Sequence, residues 1–242
     1  MKGNSIKTQP LTDPLLEKNI LYEDNHIIVI NKLPSQIVQG DKTGDRPLAD
    51  LVKDYIKIKY RKPGEVFLGV VHRLDRPVSG AVLFARTSKA LTRLNSLLKE
   101  REIKKTYWAV VKNKPPKQSD TLINHLRRDE AKNKSFVVAE NSKNSQQAIL
   151  SYTLIASSDN YYLLQIDLQT GRHHQIRAQL SAMGCPIKGD LKYGFPRSNA
   201  DGSIHLHARE LNFVHPVTLL PINVVAIPPK DPVWDFFVDN IV

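Results

Sequence analysis

Asp75 is the side chain with the most pointed chemistry in this sequence. It stands in the segment HRLDRPVSG (72–80), between Arg73 and Arg76 and close to His72, Ser79 and Gly80. Cationic neighbours favour the carboxylate and oppose any desolvation that would neutralise it. An ionised carboxylate can attack as a nucleophile or accept a proton as a general base. The same residues can also serve a structural end, an Asp–Arg pair that staples a loop. A second cluster is GRHHQIR (171–177). On a helix that begins near Gly171, His173 and Arg177 are four apart on one face, and His174 and Arg177 are three apart. Arg177 can then bury its stem and present its guanidinium to a carboxylate, while open backbone N–H groups at Gly171 can receive a phosphate. A solvated basic helix face is the plainer alternative. Tyr107 follows Lys104 and Lys105; an aromatic ring among cations suits base stacking, and a core tyrosine fits equally well.

Other candidates are weaker. His205 and His207 share one face of a strand in HLH (205–207), and with His173 or His174 they suggest a metal. No HExxH accompanies them and carboxylates nearby are few, so packing or hydrogen-bonding histidines are expected. Ser79 is not in a GxSxG setting. Cys185 is the sole cysteine, which excludes an internal disulfide and a cysteine-based zinc site; before Pro186 it reads as a small buried hydrophobe. No GxGxxG or GxxxxGK[ST] occurs, so a nucleotide cofactor is not expected.

These residues need a scaffold, and the pattern of apolar residues supplies one. Residues 1–20 are polar and read as a flexible arm, and 21–242 as one domain. LYEDNHIIVINK (21–32) predicts a strand, PLADLVKDYIKIKY (47–60) an amphipathic helix, EVFLGVV (65–71) a strand and AVLFAR (81–86) a buried strand that frames the Asp75 loop. A helix over 87–102 follows, capped by Thr87 or Ser88, then a strand over 104–112. Residues 117–147 are polar and basic and read as a hairpin or extended finger. Two strands (148–158 and 161–170) flank Asp159-Asn160, a hairpin signal. A helix over 171–184 stops at Gly184. Strands over 205–214 and 222–227 and a helix over 231–241 close the chain. Strand pairs mixed with helices predict an α+β fold on a mixed, largely antiparallel sheet with flanking helices.

Charge narrows the partner. The chain of 242 residues carries a formal charge of +11, and residues 86–134 hold 14 Lys and Arg against 5 Asp and Glu. Positive charge concentrated in this way points to a polyanion, most often nucleic acid. Apolar residues make up 41%, enough for a core and too many for a disordered chain. No apolar run approaches the roughly 20 residues of a membrane span, and no apolar stretch follows the N-terminal lysines, so a cytoplasmic setting without membrane attachment is expected.

Taken together, these segments resemble one family, the RluA-type pseudouridine synthases. HRLDRPVSG resembles the family's catalytic loop HRLDxxTSG, KKTYWAVV its tyrosine strand, and GRHHQIRAQLSAMGCPIKGDLKYG its GRxHQIRxHLxxxGxPIxGDxxYG block. LHARELNFVHP and LYEDNHIIVINK resemble its late and opening strands. The blocks keep the family's order across residues 21 to about 228. Departures are Val78 in place of Thr, Gln179 in place of His, and a displaced Pro34. About 20 residues precede the first strand, so the small N-terminal RNA-binding domain of some members is expected to be missing.

The resemblance implies a central catalytic cleft, isomerisation of uridine to pseudouridine in ribosomal or transfer RNA, base flipping, and no metal or other cofactor. It implies Asp75 as the key carboxylate, Arg177 as its ion-pair partner and Tyr107 stacked on the uracil. Arg73, with His72 beside it, is assigned to the RNA, either filling the vacated stack or gripping a phosphate; Ile187 is assigned to the pocket wall. Lys104, Lys105, Arg127 and Arg128 are expected to bind RNA, and the protein to act as a monomer. Two competing classes share parts of this pattern: a non-catalytic RNA-binding or RNA-folding protein, and a metal-dependent RNA hydrolase using His72, His173 and His207.

Overall fold

A computed structural model describes residues 13–41 and 43–241. The first element is a short helix, α1 (Pro14–Lys18), with Asp13 accepting the Leu15 N–H as its cap and Leu16 buried beneath it. Residues 13–20, expected in the arm, are therefore folded, and 1–12 lie outside the described residues. The stretch 21–32 is not one strand but a hairpin, β1 (Ile20–Glu23) and β2 (Ile27–Lys32). Asp24 makes the reversal: its Oδ1 accepts the N–H groups of His26 at 2.7 Å and Ile27 at 2.8 Å. A local side-chain turn here outcompetes the strand propensity of the flanks.

The helix α2 (Leu48–Lys59) follows as expected. Of 65–71 only β3 (Gly69–Val70) pairs, along β4 (Ser79–Ala85). Then come α3 (Ser88–Lys99), capped by the Thr87 hydroxyl, and β5 (Lys104–Val111). The basic finger is a hairpin of β6 (Ser119–Asp129) and β7 (Lys134–Val138). The paired strands β8 (Gln146–Ser157) and β9 (Tyr162–Leu168) lead to α4 (Gln175–Ala182), a 3-10 turn (Leu191–Tyr193), β10 (Leu206–Val214), β11 (Pro221–Val225) and α5 (Pro232–Ile241). Among the described residues, no helix is long and apolar enough to cross a membrane.

The strands form one 11-stranded sheet in the order β1-β2-β4-β10-β5-β9-β8-β6-β7, with β11 beside β10 and β3 beside β4. Every pairing is antiparallel except β10 with β4. The mixed, mostly antiparallel α+β fold is thus as the pattern predicts. Side-chain alternation divides the core. On β4, Val82 and Phe84 join the larger cluster with α2, while Ala81, Leu83 and Ala85 join the α3 cluster on the other face. On β5, Tyr107, Ala109 and Val111 join the larger cluster, while Trp108 and Val110 pack on Trp234 and Phe237 of α5. Tyr107 therefore belongs to the face that α4 covers. The parallel junction demands glycine at position 80. Its φ is +116°, and a Cβ there would lie 2.4 Å from the Ala208 backbone.

Candidate active site

The Asp75 loop is built from backbone contacts. The Val78 N–H donates to the Asp75 carbonyl at 3.0 Å, and the carbonyls of Arg76 and Pro77 accept the N–H groups of Ser35 and Ile204. Below the loop lies Lys32, fully buried, whose ammonium donates to the carbonyls of Leu33 (2.9 Å), Gln36 (2.9 Å) and Arg76 (3.2 Å). Burial pushes this amine down to about 7, against the opposing pull of the Asp75 carboxylate. Val78, where a family hydroxyl is missing, is a core residue; the loop is braced by main chain and Lys32 instead.

The structure brings Arg177 to Asp75. Its Nη1 donates to Asp75 Oδ2 at 3.0 Å. The main fork of the guanidinium points elsewhere, to Asp190: Nε donates to Oδ2 at 2.7 Å and Nη2 to Oδ1 at 2.8 Å. The ring of Tyr193 lies 5.0 Å beneath. Burial favours loss of the arginine's proton, but the two carboxylates more than offset it and hold the pKa above its ordinary value. A buried bidentate pair with a third donor left for Asp75 fixes the guanidinium in place and orients the carboxylate.

The segment before α4 differs from expectation. The helix starts at Gln175, and His174 at its N-cap has φ 53°. Gln175 folds back, its Oε1 accepting the Thr170 hydroxyl (2.8 Å) and the Arg172 N–H (3.0 Å). Gly171 is thus four residues before the helix rather than at its start, and His173 and Arg177 do not share a helical face. His174 faces Asp75, Nε2 to Oδ2 3.5 Å, and its Nδ1 lies 3.0 Å from the Tyr193 hydroxyl. Burial pushes this imidazole down to about 3, so it is neutral.

Asp75 opens into a cleft of about 1180 Å³ lined by Tyr107, His72 and the cations Arg73, Lys99, Arg101, Lys104, Lys105, Arg128 and Arg172. A carboxylate with one pinned oxygen, an aromatic face and a ring of cations can bind an anionic chain and act on a planar group. The Tyr107 hydroxyl has no hydrogen-bond partner among the described residues; burial first, and then the Asp75 charge, raise its pKa and keep it protonated.

A family model described as RNA pseudouridylate synthase matches residues 26–182. The chain belongs to this family. Within it, ribosomal large subunit pseudouridine synthase D of Xylella fastidiosa is 34% identical over 88% of this chain and 66% of its own length. Ribosomal large subunit pseudouridine synthase C of Buchnera aphidicola is 31% identical over 100% of this chain and 76% of its own. An uncharacterized RNA pseudouridine synthase of Synechocystis is 32% identical over 87% of this chain. The chain spans 65–66% of the length of several such relatives. Among solved structures, human RNA pseudouridylate synthase domain containing 4 superposes with a TM-score of 0.76 at 26% identity, covering 92% of this chain and 93% of that one.

The pseudouridylate synthase scaffold sorts the remaining candidates. Ile187 is fully buried, bridges to Val111 and is not among the cleft-lining residues, so its assignment to the pocket wall is corrected to the core. Arg128 lines the cleft but Arg127 does not: adjacent strand residues point to opposite faces, and Leu126, like Arg128, faces the α4 side. His72 lines the cleft but is neutral, pushed down to about 3 by burial, and its Nε2 accepts the Leu83 N–H at 3.2 Å. Ser79 donates to Nδ1 of His207 at 2.8 Å, and His207 Nε2 donates to the Ala226 carbonyl; both residues are buried, so the pair is structural. His205 stacks on Trp234 and binds Asp231, rooting α5. Gln179 fastens α4 to the sheet through Leu122, Asn124 and Ala148, away from the cleft. Sequence reasoning missed Asp190, Lys32 and Tyr193, and named His174 only for its spacing from Arg177 and as a possible metal ligand. A buried arginine needs more than one partly exposed acid to balance it, and Asp190 is the acid that the nearby KGDLKYG segment offers.

Proposed function

We propose that this protein isomerises uridine in RNA to pseudouridine, with Asp75 as the reacting carboxylate. The observation that carries the reading is the 3.0 Å contact between Arg177 and Asp75 inside a cation-lined cleft. RNA binding alone requires neither that ion pair nor the buried Arg177–Asp190 fork behind it. The target base leaves its helix or loop, which costs a few kcal/mol, offset by stacking and pocket contacts. Tyr107 stacks on the uracil as a neutral phenol. The N-glycosidic bond breaks, the ring turns, and carbon 5 joins the ribose; the proton lost from carbon 5 is balanced by one gained at the freed ring nitrogen. Asp75 acts by attack on the ribose, by attack on the base ring, or by removing a ribose proton. Each route needs a carboxylate with an open oxygen, and Arg177 balances its charge and orients it. Arg73, Lys104, Lys105 and Arg128 bind phosphates. The names of the two large-subunit relatives make ribosomal RNA the first substrate to test.

Two experiments test this. Pseudouridine is mapped across total RNA from cells with and without the gene; at least one site disappears in its absence. Purified Asp75→Asn protein is then given that RNA. It binds with unchanged affinity and forms no product, and retention of a tenth of the wild-type rate defeats the assignment.

A further inference from the structure

His174 pays a conformational cost for its position. It is a non-glycine residue in the left-handed region, φ 53°, at the N-cap of α4, and its side chain makes no capping hydrogen bond. Such strain persists where the surroundings over-determine it, often at functional sites. Here the surroundings clamp the imidazole on three sides. His173 stacks on it at 3.8 Å, and His173 itself is held through Nδ1 by the Ser135 hydroxyl at 2.9 Å. The Tyr193 hydroxyl meets Nδ1 at 3.0 Å. Asp75 Oδ2 lies 3.5 Å from Nε2.

We propose that His174 is a positioning residue for Asp75, locked by Tyr193 in the tautomer that carries its proton on Nε2. Together with Arg177 it holds Oδ2, so that Oδ1 is the oxygen offered to the substrate. This deepens the synthase reading above and rests on it for its catalytic meaning.

The tautomer follows from the partners. The imidazole is neutral, so only one nitrogen carries a proton. A carboxylate only accepts, so the nitrogen facing it must donate; a lone pair there would meet another lone pair. Nδ1 is then the acceptor, and the Tyr193 O–H, which has both His174 Nδ1 at 3.0 Å and the Ser135 carbonyl at 3.2 Å within reach, is its donor over the shorter contact. The tyrosine oxygen in turn accepts the Ser135 N–H at 2.9 Å from β7. Burial pushes this hydroxyl up to about 12, so it keeps the proton it donates. Ser135, Tyr193, His174 and Asp75 thus form a chain from the basic finger to the reacting carboxylate. At 3.5 Å the last link is looser than a good hydrogen bond, as catalytic contacts often are before substrate binds. Arg177 and His174 both reach Oδ2, and among the described residues none reaches Oδ1.

The test combines kinetics with a spectroscopic reading. Single-turnover rates and RNA affinity are measured for His174→Leu, His174→Gln and Tyr193→Phe on a transcript carrying the mapped uridine. Outer partners that orient the ligands of a metal are worth roughly tenfold to a hundredfold in activity, and a partner that orients a carboxylate is taken at the same scale. His174→Leu should lose about that much in rate with RNA affinity unchanged, and His174→Gln, which keeps a donor toward Asp75, should recover most of it. Nitrogen-15 spectra of the histidine side chains should show His174 as the Nε2–H tautomer, and Tyr193→Phe, which removes the donor to Nδ1 but leaves Asp75 facing Nε2, should weaken that preference without reversing it. An unchanged rate in His174→Leu, no rescue by glutamine, or an Nδ1–H tautomer in the wild type overturns the proposal. If His174→Leu does not fold, the wild-type spectrum still decides. If the wild-type protein makes no pseudouridine in any RNA, the functional reading falls and the spectrum still judges the lock.

Discussion

Arg177 has more donors than Asp75 can use, and the surplus explains how a guanidinium can sit almost wholly inside the protein. Asp190, with its side chain 1% exposed, takes two of the donors. Removing it leaves a buried cation with a single partner that is itself partly exposed. Asp190→Ala should therefore cost about 3–5 kcal/mol, read as a lower urea midpoint, with activity lost along with the ordered guanidinium. A midpoint within the error of wild type would show that Asp75 alone balances Arg177. Lys32 presents the related case of an ammonium under the Asp75 loop. Its folded pKa of about 7 lies below the 10.5 of a free lysine. Between those values the unfolded chain binds more protons than the folded one, so this group's contribution to stability rises with pH across that window and is least favourable below pH 7. Lys32→Met removes the titration but leaves three carbonyls without their donor. The difference in stability between wild type and Lys32→Met should become larger in favour of wild type from pH 7 to pH 10; a flat difference would refute the assigned titration.

At the level of elements, the finger strand β6 shows why neighbouring cations are not equivalent. Arg127 and Arg128 are both exposed, yet only Arg128 lines the cleft. Removing one phosphate-binding cation should lower the salt slope of RNA binding by about 0.7–0.9. Arg128→Ala should show that change and Arg127→Ala should not. Equal slopes in the two variants would move the RNA to a different face of the finger. The short parallel pairing of β4 with β10 is the other decisive element. It starts β4 at Ser79 and Gly80, directly after the Asp75 loop, and registers them against His207 and Ala208. The loop is therefore anchored at its exit by sheet pairing and at its middle by Lys32, Ser35 and Ile204, without the threonine hydroxyl of the family pattern.

At the level of the whole molecule, the cleft gathers cations from distant parts of the chain: Arg73 before β4, Lys104 and Lys105 at the start of β5, and Arg128 near the end of β6. Neutralising these four together should reduce the salt slope by about 3 on single-stranded RNA while leaving the fold intact, as judged by an unchanged far-ultraviolet spectrum. A slope that does not move would show that the charge excess of residues 86–134 serves some other surface.

What the sequence determined by itself was local and repetitive. The periodic apolar residues of α2 and α3, the buried run of β4 and the hairpin between β8 and β9 are legible because each follows from neighbours within a few positions. Asp75, Arg177 and Tyr107 were legible as candidates from their residue types and spacing, and their expected roles came from the resemblance of their blocks to the family's. The tertiary structure decided what depends on contacts across the chain. Arg177 divides its donors between Asp190, 13 residues on, and Asp75, 102 residues back. Lys32 finds the Arg76 carbonyl 44 residues away. Ile187 goes to the core and Arg127 to the far face because packing and strand alternation, not composition, choose which side of the sheet a residue occupies. The turn at 171–174 stands where a helical start was expected, with the Gln175 amide accepting from the Thr170 hydroxyl and the Arg172 N–H, a side-chain capture that no apolar period encodes.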